Sequence, residues 1–191
     1  MQSTETLSEL WPGWLVLGFV VLALLYGLAA LFSNRTFVIP LKRLNLLFSL
    51  VCAIGLGVAA YIAYVQLFRV QAICGPLEEC NTVLQSRYAK LLGFVPNSVI
   101  GLISYLALVF LWVWHARRKG DWLARHSPLL ILAITLLGTL LSVYLTILQV
   151  LTLKALCIWC LSSAVLITML FLLSVSLSQS NYAPILNPDN L

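Results

Sequence analysis

The segment from Leu129 to Leu177 constrains the fold most strongly, because it is apolar and contains a single charged residue, Lys154. As one continuous helix it would be about 70 Å long at 1.5 Å per residue, more than twice the roughly 30 Å of a bilayer's hydrocarbon core. The segment must therefore fold back, and Thr152-Leu153-Lys154 is the only polar place for a turn. We predict two membrane-spanning helices that are joined at the membrane surface.

The remainder of the chain is similarly apolar. Of its 191 residues, 62% are hydrophobic and 9% are charged, whereas about a quarter are charged in a typical soluble domain. Further apolar runs of spanning length lie at 14–32, 45–68 and 97–115. Five spans are therefore predicted in an all-α integral membrane protein, in which the fourth span begins at Pro128 and the fifth near Leu156.

The basic residues indicate how the spans are oriented. Seven of the eleven Lys and Arg residues lie in the connectors 34–44 and 116–128, and short basic connectors usually face the cytoplasm. Because the charge is confined to connectors, the net charge of +5 does not indicate nucleic-acid binding. The N-terminus is then outside and the C-terminus inside. The loop 69–96 and the turn at Lys154 share the outer, periplasmic or equivalent face of the inner (plasma) membrane, where disulfides persist.

Four of the five cysteines form two pairs. Cys157 and Cys160 are in a C-x-x-C motif at the start of the last span, and Cys74 and Cys80 lie in the outer loop. Two thiols three residues apart on a helix can form a disulfide, and the helix start favours a thiolate. We expect this effect at Cys160, about 4.5 Å deeper along the helix than Cys157. The fifth, Cys52, is interpreted as a small core residue.

The pairs favour a thiol relay over other uses of cysteine. A zinc site built from four cysteines usually has two closely spaced pairs in a polar fold, so no metal is predicted here. Purely structural disulfides are the other alternative, although a helical bundle in lipid hardly needs them. A carrier of reducing power across the membrane would have cysteines deep inside its spans. A loop can move whereas a helix end cannot, so the loop pair is expected to approach the C-x-x-C.

Several motifs occur in a fixed order between the apolar runs: Cys74-Gly-Pro-x3-Cys80-Asn81, Ser86-Arg87-Tyr88, Pro96-Asn97-Ser98-x2-Gly101 and Cys157-x2-Cys160. Together they resemble the vitamin K epoxide reductase family, in particular its bacterial branch. The resemblance covers about residues 45–178 and implies a four-helix catalytic bundle around a quinone, with 69–96 as its outer loop. Residues 1–44 then form a tail, an extra transmembrane helix and a basic cytoplasmic connector, and 179–191 are predicted to be a disordered cytoplasmic tail.

The resemblance also implies roles for individual residues. Cys74 and Cys80 exchange with a partner, and the C-x-x-C passes the electrons to the quinone, which Cys160 faces. Asn97 is expected to contact a quinone carbonyl, although an asparagine at this position is also a favoured helix N-cap. Ser86 is assigned to the quinone-binding residues as well, with capping of the short loop helix or orientation of the surroundings of Cys80 as its expected local role.

Two departures from the family qualify the predicted function. Many bacterial relatives carry a thioredoxin-like domain, which this sequence lacks, so the expected partner is a separate extracytoplasmic thioredoxin-like thiol protein. Vertebrate members have a tyrosine four residues after the C-x-x-C, where this chain has Ala164; this favours quinone reduction over epoxide reduction. The chain is thus predicted to be a membrane thiol:quinone oxidoreductase that supports disulfide bond formation.

Two alternatives remain open. A DsbB-type oxidase of separate lineage would perform similar chemistry, but it has its closely spaced pair in the first outer loop, the reverse of the order here. The other is a non-enzymatic, disulfide-stapled membrane subunit, from which loss of activity in single cysteine variants, with the fold kept, would distinguish an oxidoreductase.

Overall fold

The structure is a computed structural model that describes residues 10–32, 41–74, 80–91, 95–117 and 122–186. Several predicted features lie outside these residues: the N-terminal tail 1–9, most of the first basic connector (33–40), part of the second (118–121), the Gly75-Pro76 turn of the cysteine loop, and 187–191.

Within this part of the chain, five helices are long and apolar enough to cross a membrane, as predicted. They are α1 (Trp11–Phe32), α2 (Leu41–Phe68), α4 (Asn97–Arg117), α5 (Trp122–Ile147) and α6 (Ile158–Leu186). Between α2 and α4 lie the short helix α3 (Cys80–Gln85), a 3-10 turn (Arg87–Ala89) and an antiparallel pair of two-residue strands, β1 (Lys90–Leu91) and β2 (Val95–Pro96). A π-helical segment, Leu148–Leu153, continues α5.

Four of the helices form a closed bundle. Helices α2 and α5 each pack against both α4 and α6, and each helix contributes a large apolar residue to one core. Phe48, Leu108, Ile131 and Leu170 are 0–1% exposed, and Cys52 lies among them as a small core residue. Helix α1 lies outside this ring against α6 and α5. The predicted fold class, a four-helix bundle with one extra N-terminal helix, is confirmed.

The predicted turn between the last two spans is also present. The π-helical segment ends at Lys154, whose backbone is left-handed with φ of 50°. The chain then runs without regular structure to Cys157, and α6 begins at Ile158. A left-handed residue is a common way to end a helix, and here it reverses the chain direction within a few residues.

The prediction that Pro128 opens the fourth span is wrong, because α5 begins at Trp122 and Pro128 lies inside the helix. Proline has no N–H, so the carbonyl of Ala124 lacks its usual helical partner. The hydroxyl of Ser127 donates to that carbonyl at 2.8 Å, and Nδ1 of His115 in α4 lies 2.9 Å from it. Side chains thus replace the missing backbone hydrogen bond, and the helix continues through the proline.

The last helix also extends beyond the predicted boundary at residue 179, where a disordered tail was expected to begin. Helix α6 continues to Leu186. At that boundary the Gln179 side chain donates a hydrogen bond to the carbonyl of Ala30 at 2.7 Å. This contact joins α6 to the end of α1 and gives the helix a partner beyond the bundle core.

A glycine permits the close packing of α1 on α6. A Cβ atom added at Gly27 would lie 2.4 Å from a ring carbon of Phe171, which is itself fully buried. At Gly18, on the same helix, an added Cβ would have no neighbour within 4 Å. The two glycines therefore differ in packing although they have the same intrinsic helix propensity.

We predict that Gly27→Ala lowers the thermal stability of the detergent-solubilised protein, because overpacking against Phe171 costs roughly 1–3 kcal/mol. The matched control, Gly18→Ala, should leave the stability unchanged or raise it, since alanine is the better helix former. The melting temperature measures both. Equal melting temperatures for the two variants would contradict this account of how α1 docks.

Candidate active site

The structure brings the two cysteine pairs together at one end of the bundle. Cys74, Cys80 and Cys157 belong to one buried apolar cluster, against which Cys160 packs. The first three are 8%, 0% and 0% exposed, and all four are in the thiol form. Four cysteines from distant parts of the sequence therefore lie together at the N-terminal end of α6.

The segment before Cys74 is held by Asn81, the residue that follows Cys80. Its Oδ1 accepts the N–H of Ala72 at 2.8 Å, and its Nδ2 donates to the sulfur of Cys74 at 3.8 Å. The Cys74 thiol in turn donates to the carbonyl of Ala72 at 3.3 Å. The asparagine thus links the two ends of the cysteine loop where the chain enters and leaves it.

Two aromatic side chains hold the next residue, Ile73. The hydroxyl of Tyr61 in α2 accepts the Ile73 N–H at 3.0 Å, and the indole N–H of Trp159 donates to the Ile73 carbonyl at 2.9 Å. The two rings pack with centroids 4.5 Å apart. Since Trp159 lies between the two cysteines of the C-x-x-C, this motif makes a direct hydrogen bond to the residue next to Cys74.

The turn before the C-x-x-C depends on Gln149, a buried residue of the π-helical segment. Its backbone carbonyl accepts the N–H groups of Lys154 and Ala155. Its side-chain Oε1 accepts the N–H of Cys157 at 3.1 Å. One glutamine therefore satisfies the backbone donors that a tight, buried turn leaves without helical partners. π-Helical segments are frequent at functional sites, and this one orients the first active-site cysteine.

Cys157 occupies the N-cap position of α6. Its carbonyl accepts the N–H of Leu161 at 3.0 Å, and its sulfur accepts the N–H of Cys160 at 3.4 Å. This is the capping geometry that hydroxyl and carboxylate side chains usually provide. We expected the N–H groups of the first turn to act on Cys160; the hydrogen bond from the helix start instead goes to Cys157.

Both inner thiols are held in their protonated form. Burial, helped by the hydrogen bond with Cys74 and the charge of Cys157, raises the pKa of Cys80 to about 12. The pKa of Cys157 is raised as well, first by its hydrogen bond with Cys160 and then by burial, against a smaller opposing effect of the Cys160 N–H and of Cys80. Since exchange needs a thiolate, the raised pKa values lower the reactivity of these two thiols in this arrangement.

Cys160 and the two other predicted quinone contacts share a cavity. The cavity, of about 130 Å³, lies between the loop and the bundle, and Asn97, Ser86, Gln149 and Cys160 line it. Its wall also includes Ala164, the position of the vertebrate tyrosine. The structure thus brings Asn97, Ser86 and Cys160 together, whereas Cys157 is not among the lining residues.

Asn97 and Ser86 each donate a side-chain hydrogen bond to a backbone carbonyl of the loop. The amide of Asn97, the first residue of α4, donates to the carbonyl of Tyr88 at 2.9 Å, and the residue also lines the cavity. Ser86 precedes the 3-10 turn but makes no side-chain cap to it; its hydroxyl donates back to Val83 at 2.8 Å. Both side chains therefore have one internal partner and one face on the cavity.

A second cavity of about 310 Å³ adjoins the first and extends deeper between α4, α5 and α6. Six residues line both cavities: Tyr88, Asn97, Gly101, Ser142, Leu145 and Ser163. Together the two cavities are large enough for a small apolar ligand, since such pockets usually start near 300 Å³. By area the lining is mainly apolar, but it includes polar side chains and two cations of the loop, Arg87 and Lys90.

Sequence reasoning missed several residues that build the site. Besides Gln149, Tyr61 and Trp159, it missed Gln66, whose Nε2 donates to the carbonyl of Leu84 at 3.0 Å and whose Oε1 accepts the hydroxyl of Ser98. Gln66 lines the cavity as well. The signal was available, because glutamine within a membrane span is costly and commonly serves a function.

A comparison with protein-family models matches residues 46–175, well over half of the chain, to the vitamin K epoxide reductase family. The chain belongs to this family. No curated protein sequence matches it. Membership implies an oxidoreductase in the membrane that acts on thiols and quinones, and the predicted resemblance is confirmed.

We predict that Gln149→Leu shifts the equilibrium between the Cys157–Cys160 dithiol and disulfide, because the Cys157 N–H loses its acceptor. A buried N–H without a partner costs roughly 1–3 kcal/mol, so the melting temperature should also fall. The dithiol–disulfide ratio is measured in glutathione buffers on the detergent-solubilised protein. Gln179→Leu removes a comparable side-chain hydrogen bond at the far end of α6 and should change the melting temperature alone. The same redox shift in both variants would contradict the role given to Gln149.

A second prediction follows from the raised pKa of Cys80. In the fully reduced protein, the thiolate fraction at this residue should keep rising about tenfold per pH unit through pH 10, since its pKa is about 12 instead of the usual value near 9. Iodoacetamide labelling of Cys80, followed by mass spectrometry between pH 7 and 10, measures it. An exposed cysteine introduced by Arg69→Cys should reach its plateau near pH 9. A plateau at Cys80 below pH 9.5 would contradict the effect of burial.

Proposed function

We propose that the protein re-oxidises an extracytoplasmic thioredoxin-like thiol protein and passes the electrons to a membrane quinone, thereby supporting disulfide bond formation. The observation that carries this proposal is the sequence of contacts from Cys74 through Cys80 and Cys157 to Cys160, which alone of the four lines the cavity. Structural disulfides would not need four cysteines in contact in this order, whereas a relay of two successive thiol–disulfide exchanges does.

The order of exposure supports the direction of electron flow. Of the loop pair, Cys74 is the more exposed at 8%, whereas Cys80 is fully buried next to Cys157. In the first exchange, a partner thiolate attacks the sulfur of Cys74 in the Cys74–Cys80 disulfide and Cys80 leaves. The second thiol of the partner then displaces Cys74, so the partner leaves as a disulfide and the loop pair holds two thiols.

The second exchange occurs inside the protein. The Cys80 thiolate attacks Cys157 in the Cys157–Cys160 disulfide, and Cys160 leaves as the thiolate. Attack of Cys74 on the Cys80–Cys157 bridge then restores the loop disulfide and leaves the C-x-x-C as a dithiol. Two electrons have moved inward, and the N–H of Cys160 is placed to stabilise charge on the Cys157 sulfur as it leaves.

The two cavities fit a quinone as the final acceptor. When bound, a quinone accepts two electrons and two protons and leaves as the quinol. Asn97 and Ser86 would hold it near Cys160, with an amide N–H of Asn97 directed to a carbonyl oxygen, and the apolar walls would exclude water. Ala164 adds no hydrogen-bond donor at its position, which supports quinone reduction over epoxide reduction.

The membrane orientation belongs to the same proposal. The active-site end of the bundle carries the cysteine loop, and the opposite end carries Arg43, Arg117 and Arg125 in described residues. By the positive-inside bias, the cysteines then face the outer side of the inner (plasma) membrane. An oxidising compartment on that side would keep the loop disulfide available.

We predict that the thiol partner is trapped on Cys74 when Cys80 is replaced. In a Cys80→Ser variant, the Cys74 thiolate attacks the disulfide form of the partner and one partner thiol leaves. No Cys80 thiol is present to break the resulting mixed disulfide from the side of the loop, so this species should be enriched over the wild type and migrate as a larger species on a non-reducing gel. Mass spectrometry then identifies the partner. Cys74→Ser is the matched control and should trap little, because Cys80 is buried. Trapping mainly in the Cys74→Ser variant would reverse the assigned order, and trapping in neither would overturn the proposed function.

A further inference from the structure

Two aromatic side chains, Tyr61 and Trp159, hold the backbone of Ile73 from both sides, next to the loop cysteine Cys74. The indole N–H of Trp159 donates to the Ile73 carbonyl at 2.9 Å, and the Tyr61 hydroxyl accepts the Ile73 N–H at 3.0 Å. The two rings also pack on each other. We call Tyr61 and Trp159 the aromatic clamp. It binds both polar backbone groups of a loop residue that lies outside regular structure.

The segment that the clamp holds has little apolar burial of its own. The side chain of Ile73 is 78% exposed. Its neighbours Ala72 and Cys74 are buried, but side chains of this size remove little apolar area from water. Hydrogen bonds from side chains of the bundle therefore have a large share in fixing where this segment lies.

The clamped segment is connected to the second loop cysteine, Cys80. Asn81, the residue after Cys80, accepts the N–H of Ala72 at 2.8 Å, and Ala72 directly precedes the clamped residue. Cys80 lies next to Cys157, at the start of the helix that carries the tryptophan of the clamp. The clamp thus joins the same two parts of the chain that the proposed exchange between Cys80 and Cys157 joins.

We propose that Trp159 and Tyr61 are positioning residues that keep the cysteine loop closed, with Cys80 beside Cys157, between successive exchange steps. This proposal rests on the proposed function for the purpose of the contact. A loop held in this way keeps Cys80 ready to attack the C-x-x-C disulfide and away from small thiols in solution. Neither aromatic residue reacts, because the bonds that form and break join sulfur atoms only.

The test uses the Cys74→Ser/Cys160→Ser protein, fully reduced and solubilised in detergent, in which the other two active-site cysteines cannot react. Cys80 is 0% exposed, so N-ethylmaleimide reaches its sulfur only after the loop opens locally. Cys52, 2% exposed in the bundle core, reports in the same molecules on opening of the bundle itself. Mass spectrometry gives the alkylation rate at each cysteine.

Trp159→Phe and Tyr61→Phe each keep an aromatic ring and remove one hydrogen bond of the clamp. Each should raise the alkylation rate at Cys80 about 2- to 10-fold, as the loss of one neutral hydrogen bond would. Each should leave the rate at Cys52 unchanged, because the bundle core is not touched. The matched control Tyr64→Phe, at an exposed residue on the same helix as Tyr61, should change neither rate.

Two results would overturn the proposal: an unchanged alkylation rate at Cys80 in either clamp variant, or rates that rise by the same factor at Cys80 and Cys52. The second result would mean that the aromatic side chains stabilise the fold as a whole and do not hold the loop in particular.

Oxidation of the same Cys74→Ser/Cys160→Ser protein separates this proposal from the proposed function. With the clamp intact, oxidised glutathione should join Cys80 and Cys157 in a disulfide, and two glutathione thiols are released. If no such disulfide forms, the relay of the proposed function fails. If it forms but the clamp variants leave the alkylation of Cys80 unchanged, only the present proposal fails.

Discussion

The hydrogen bond from the Cys157 N–H to the side chain of Gln149 is the contact on which the active site depends. At the end of two membrane helices, a backbone N–H outside regular structure needs a partner from the protein, because lipid supplies none. Gln149 provides this partner and also binds the turn through its own carbonyl. Once the turn is held, Trp159 reaches the carbonyl of Ile73. The position of the cysteine loop therefore follows from the position of the C-x-x-C, and both follow from one buried amide.

The same requirement explains the other irregular place in the bundle. Pro128 interrupts the backbone hydrogen bonds of α5, and Ser127 and His115 supply the substitutes. In both cases a polar side chain that looks costly in an apolar span satisfies a backbone group that would otherwise be unpaired. Gln149 also lines the first cavity, so one side chain both completes the backbone of the turn and faces the candidate site.

Much of the fold could be predicted, because membrane thickness fixes span length and one lysine marks the fold-back near Lys154. The cysteine pairs could be recognised from spacing and family resemblance. The start of α5 could not, since proline is equally compatible with a helix start and with an interior position that other side chains repair. The hydrogen bond from the helix start goes to the sulfur of Cys157 and not to that of Cys160, and Gln149 holds the turn. Both features depend on the tertiary geometry of the turn, about which sequence periodicity gives no information. The extra helix was predicted as a span, but its docking through Gly27 needed the position of Phe171.

Burial of the Cys80 and Cys157 thiols also affects how the proposed relay would avoid side reactions with small thiols in solution. Cys80 and Cys157 are closed to solvent and have raised pKa values, so small thiols in solution meet little thiolate and little exposed sulfur there. In the proposed relay, reaction would then enter at Cys74 and leave at Cys160, the cysteine on the cavity wall. The Cys160 N–H already donates to the Cys157 sulfur in the thiol state and would stabilise charge on it during exchange. In that relay, the access and the acidity of the thiols would set the order of the steps, and neighbouring pairs would exchange in both directions without losing electrons to thiols in solution.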